Sequence, residues 1–85
     1  MDQAQRGREA RAILGNSIVQ EALARIDADC VKRWRETTVG EVEEREDAYR
    51  MLRVAQMFRQ FFTNCIAGGQ KAEAEDLRVQ KRTSR

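Results

Sequence analysis

The chain has 85 residues, of which 35% are charged, yet its formal net charge is only +2, and it contains neither proline nor histidine. One domain of this length buries too little surface to be very stable alone, so we expect it to self-associate. Balanced charge excludes a global field that would draw the chain onto nucleic acid or membrane, and the lack of histidine removes the usual general base and the commonest metal ligand.

The first two helices are predicted from capping signals and apolar spacing. The first is expected at Gln3–Leu14 and should end at Gly15-Asn16, a pair suited to a left-handed C-terminal cap. The second is expected from Ser17 to about Glu36, because Ser17 and Gln20 match the spacing of a capping box. At 100° per residue, its apolar residues fall within one arc of about 160°; they are Ile18, Val19, Ala22, Leu23, Ile26, Cys30 and Trp34.

A third, longer helix is predicted from a second capping box at Thr38-Val-Gly-Glu41 to the pair Gly68-Gly69, with a short fourth helix or tail after it. The connection between the second and third helices is short, so they should lie antiparallel as a helical hairpin. A turn centred near residue 37 would place Leu23 beside Leu52 and Ile26 beside Ala48. The sequence therefore predicts one all-α domain over residues 1–85 that forms oligomers. Its ends, at 1–7 and 78–85, are expected to be flexible.

The third helix carries an apolar stripe wider than one partner helix needs. It is expected to be about 43 Å long against about 30 Å for the second helix, so its last third would extend beyond that partner. The residues expected at a protein interface are Phe58, Phe61, Phe62, Cys65 and Ile66, together with Val31 outside the apolar arc of the second helix. Two interpretations stay open: an interface with a second copy or another protein, or an ordinary core closed by the first and fourth helices.

Candidate chemistry is sparse. Cys30 and Cys65 each lie on the apolar face of a helix, where thiols behave as small hydrophobes, and the hairpin would hold them too far apart for a disulfide. We therefore expect no enzymatic activity, no cofactor and no metal site.

Local charge is uneven. Residues 38–50 carry a net charge of −3 and residues 78–85 a net charge of +4. The basic end could contact phosphates through Arg78, Lys81, Arg82 and Arg85, or could be a solvated tail that happens to be basic.

Several short segments resemble a group of small helical proteins encoded among the head and packaging genes of tailed phages. The similarity covers about residues 8–70 and includes a glycine after the long helix; its segments are Arg8-Glu-Ala-Arg-Ala12, Leu14, Val19-Gln-Glu-Ala22, Trp34-Arg-Glu-Thr37 and Glu44-Arg-Glu46. The resemblance implies a non-enzymatic structural or assembly accessory protein, located in the bacterial host cytoplasm or on the virion. Its partner would be a second copy or another phage or host protein. Binding to a membrane or to a small molecule is not expected.

Two other functions stay open at this point. One is a small DNA-packaging subunit that binds phosphates through the basic tail and through Lys32, Arg33 and Arg35. The other is an inhibitor of a host enzyme or defence complex, for which the acidic stretch from Glu41 to Asp47 would imitate nucleic acid.

Overall fold

A computed structural model describes residues 1–83 and contains three helices. They are α1 (Gln3–Leu14), α2 (Ser17–Glu36) and α3 (Val42–Thr83), with no strand within this range. The predicted all-α class is therefore confirmed, and α1 and α2 have the expected bounds.

The helices α1 and α2 follow one another along the same side of α3. Both pack against α3, whereas they hardly touch each other. Asp27 in α2 bonds to Arg59, while Arg8 in α1 bonds to Glu73, so both helices run antiparallel to α3. The result is a rod of 70 × 23 × 18 Å. Its radius of gyration is 19.2 Å, whereas a compact chain of this length would have about 12 Å.

The predicted end of the long helix at Gly68-Gly69 is wrong. The helix α3 continues for 42 residues to Thr83, about 63 Å at the usual rise, so residues 78–83 are its last turns rather than part of a separate helix. Neither glycine has a positive φ angle. Gly69 instead lies against Gly7 of α1, where a Cβ added to Gly7 would come within 2.9 Å of the Gly69 Cα atom. Gly69 thus lets two helices approach closely and does not cap one.

The junction between α1 and α2 also differs from its prediction. Asn16 is the N-cap of α2, and its side-chain oxygen accepts hydrogen bonds from the amides of Ile18 and Val19 at 2.9 and 3.2 Å. Ser17 is the first helical residue instead. Gly15 has a φ angle of −80°, so the expected left-handed cap is absent. An asparagine oxygen caps a helix as well as a serine hydroxyl does, so α2 begins at the predicted residue although its cap is Asn16.

The connection between α2 and α3 turns at residues 38–41, because the Glu41 amide donates to the Thr38 carbonyl at 3.1 Å. The turn therefore lies about two residues later than expected, and the pairing of α2 with α3 shifts. Ala48 and Leu52 border Cys30, which lies about one helical turn beyond Ile26 and two beyond Leu23, their predicted partners.

Candidate interaction surface

The face of α3 that packs on α1 and α2 follows a heptad spacing. We name the residues along this face the buried seam. Successive positions are four and three residues apart in alternation. They are Ala48, Leu52, Ala55, Arg59, Phe62, Ile66, Gly69 and Glu73. Ala48 and Ala55 are buried, as are Leu23 and Cys30 on α2 and Ala10 on α1. The buried seam and the α1 and α2 residues packed on it form the core of the described part of the chain.

A second heptad seam lies beside the first on α3, about 100° around the helix. We name it the open seam; its positions are Met51, Val54, Phe58, Phe61, Cys65, Gly68 and Ala72. None of the seven is charged. The side chains at its first four positions are 47%, 64%, 49% and 64% exposed, in that order. Within residues 1–83, no helix covers this run of large apolar residues at coiled-coil spacing.

The two exposed phenylalanines are held in place by a third. Phe62 is half-buried, and its ring centroid lies 4.9 Å from that of Phe58 and 5.7 Å from that of Phe61, both edge-to-face. Rings fixed in this way lose little conformational freedom when a partner covers them, which favours binding.

Cationic side chains flank the open seam. Arg6 of α1 borders Phe61 and Cys65, and the guanidinium of Arg33 lies 3.8 Å from the Met51 sulfur. An apolar strip with a polar rim is the usual layout of a protein–protein contact.

The six residues predicted for an interface fall in three places. Phe58, Phe61 and Cys65 lie on the open seam, although Cys65 is only half-exposed. Phe62 and Ile66 belong to the buried seam, since α1 packs over this part of α3. The helix α1 therefore covers more of α3 than the sequence predicts.

Val31 lies elsewhere on the rod. It lines a shallow apolar groove with Trp34, Tyr49 and Leu52. Tyr49 is roughly 160° around α3 from Met51, so this groove and the open seam occupy different faces.

Four members of the open seam were not predicted to lie at an interface, namely Met51, Val54, Gly68 and Ala72. Gly68 was predicted to end the helix instead. The signal that could have identified them is the second set of three- and four-residue steps beginning at Met51.

Within residues 1–83 no cluster of three or more cysteine and carboxylate side chains could hold a metal ion, and both cysteines are free thiols. Hydrogen bonds from the Thr38 hydroxyl, at 2.8 Å, and from the Thr38 amide, at 3.1 Å, lower the pKa of Glu41, a fully exposed carboxylate. These bonds stabilise the turn before α3.

None of the helices in the described part of the chain could cross a membrane.

The two ends of α3 carry opposite charge. Its first turn is acidic, while Arg78, Lys81 and Arg82 are exposed near its other end, which extends past the start of α1. Arg85 lies outside the described residues. Phosphate binding by this end stays a prediction.

The fold and this surface define a class: an all-α, rod-shaped protein whose longest helix carries one buried and one open heptad seam. Comparison of the chain with protein-family models, with curated proteins and with solved structures finds no match. The open seam is therefore the main guide to function.

Proposed function

We propose that the chain is a non-enzymatic assembly protein that self-associates through the open seam of α3. The observation that carries this proposal is the run of seven uncharged heptad positions over residues 51–72, the first four of which present large, exposed side chains. The seam is about 32 Å long. Contiguous apolar surface of this kind is rare on monomers and marks a protein contact.

The proposed setting is the assembly of a tailed-phage head or its packaging machinery. It rests on the resemblance of residues 8–70 to small helical proteins encoded among those genes, and a rod with an associating face suits such a role. Co-purification of the chain with head particles or packaging intermediates tests this setting, and its absence from both would contradict it.

Self-association is tested by measuring the mass in solution. We expect sedimentation equilibrium at tens of micromolar to give a multiple of the 9.8 kDa chain mass. Phe61→Asp should reduce it to one chain, because a carboxylate would then have to be buried in an apolar contact. Since the Phe61 side chain is 64% exposed, the variant should keep the helical circular dichroism spectrum of the parent.

Gln56→Asp is the matched control. It introduces the same charge at an exposed position of α3 outside both seams, so it should associate like the parent chain. A monomeric parent chain, or a Phe61→Asp variant that associates as strongly as the parent, would contradict the proposal.

A further inference from the structure

We infer that the partner on the open seam is a second copy of this chain lying antiparallel to the first, so that Phe58 of each copy packs against Phe61 of the other. This inference rests on the proposed self-association and adds its orientation and register. Two copies would then form a four-helix bundle, with the two α3 helices in contact along its centre.

The register follows from the residues of the open seam. In antiparallel coiled coils, the first apolar position of a heptad on one helix faces the second apolar position on the other. Centring the pair between Phe58 and Phe61 sets Val54 against Cys65 and Met51 against Gly68. Large side chains thus face small ones at the ends, and four phenylalanine rings meet in the middle, where edge-to-face contacts add to burial.

Sliding the pair by one heptad in either direction gives poorer contacts. In one direction Met51 would face Glu75 and each phenylalanine would face Gly68 or Cys65, leaving space unfilled. In the other direction Asp47 would face Cys65, so a charge would enter the apolar contact. The register centred on the phenylalanines fills the middle of the contact with four rings and leaves Asp47 at the end of the seam, opposite Ala72.

The charges of α3 favour the antiparallel orientation. Residues 41–47 contain five carboxylates and one arginine, whereas Arg78, Lys81 and Arg82 lie at the other end. Parallel copies would place the two acidic segments side by side and the two basic ends side by side. In the antiparallel register Arg78 lies opposite Glu41, with Lys81 and Arg82 just beyond it, while residues 42–46 face residues 73–77, which carry three carboxylates. The helix dipoles also oppose one another in this orientation, which favours it over the parallel one.

The available surface is large enough for such a contact. The chain exposes 7082 Å², about 1,900 Å² more than a compact monomer of its mass, for which roughly 5,200 Å² is expected. A stable interface of standard size removes about 800 Å² from each partner. One face of the rod can supply that area.

Oxidative cross-linking of Val54→Cys tests the orientation, because the native Cys65 of the second copy should lie opposite position 54. Oxidised glutathione takes up the two hydrogens of the thiol pair and becomes two reduced glutathiones as the disulfide forms. We expect most of this variant to run as a covalent dimer on a non-reducing gel. The parent chain should not cross-link, since the two copies of Cys65 would be about 16 Å apart along the axis.

The double variant Val54→Cys with Cys65→Ser is the decisive control. In the antiparallel register it should lose the covalent dimer, because the two introduced thiols would also be about 16 Å apart. In a parallel pair the introduced thiols would face each other, so the dimer would persist without Cys65. The parent chain would then cross-link through Cys65 itself.

The mass of the unoxidised protein separates this inference from the proposed function. A monomer would overturn both. A self-associated chain that does not cross-link between position 54 and Cys65, or that cross-links without Cys65, would overturn the antiparallel register and leave the proposed self-association standing.

Discussion

At the scale of single residues, the closest helix contact depends on Gly7. A Cβ added there would come within 2.9 Å of two backbone atoms of α3, the carbonyl oxygen of Cys65 and the Cα of Gly69. Backbone atoms cannot move aside as the end of a flexible side chain can. We therefore expect Gly7→Ala to force α1 away from α3 and to lower the free energy of unfolding by about 1–3 kcal/mol.

Gly68 gives a matched control for this prediction, because it is adjacent to Gly69 and a Cβ there would meet nothing within 4 Å. Gly68→Ala should raise the free energy of unfolding by about 0.5–1 kcal/mol, since alanine is the better helix former. Urea unfolding followed by circular dichroism measures both changes in the Phe61→Asp background, which we expect to be monomeric, so that position 68 contacts no second copy. Effects of the same sign for the two variants would show that helix propensity, and not the close approach, decides the stability here.

At the scale of elements, one ion pair fixes α2 on α3. The guanidinium of Arg59 donates to both carboxylate oxygens of Asp27, at 2.7 and 3.2 Å, and the two side chains are 32% and 36% exposed. Arg59 occupies the buried seam, so the loss of its partner would leave a partly desolvated charge with weaker hydrogen bonds. Asp27→Asn should lower the free energy of unfolding by about 1 kcal/mol.

The pair Lys32–Glu36 offers the comparison for Asp27→Asn. Its nitrogen and oxygen are 3.9 Å apart, and both side chains are well exposed within a single helix. Glu36→Gln should therefore change the free energy of unfolding by less than about 0.5 kcal/mol in the same urea measurement. Equal losses for the two variants would mean that Asp27 contributes only as an ordinary surface charge.

The elements also show which features the sequence could predict. The bounds of α1 and α2 depend on neighbouring residues, Gly15 and Asn16 between them and Thr37 after α2, so local signals were sufficient. The end of α3 could not be predicted in that way. Gly69 resembles a helix stop, and only its contact with Gly7 on another helix shows why α3 continues.

The candidate surface was predicted in part for a related reason. Phe58 and Phe61 are large enough to attract attention in the sequence, whereas Met51 and Val54 could equally well have been covered by α2. The two seams of α3 interleave within the same stretch of sequence. Which of the two seams stays exposed depends on where the turn at residues 38–41 places α2. The placement of α2 is a tertiary property, which local sequence signals do not encode.

At the scale of the whole molecule, the position of the open seam predicts the shape of the associated protein. The proposed pair is centred between Phe58 and Phe61, and α3 is centred three residues later. Two antiparallel copies would therefore lie almost fully side by side, and each would extend past the other by less than about 10 Å. Association should thicken the rod much more than it lengthens it.

Small-angle X-ray scattering measures this directly. From a monomer 70 Å long, we expect the associated chain to have a maximum dimension of about 80 Å while its cross-section roughly doubles. Phe61→Asp should keep the length of the rod and return its cross-section to that of one copy. A maximum dimension near 140 Å would place the contact at the ends of the rod. The charged ends of α3 would then be responsible for association, and the apolar seam would not.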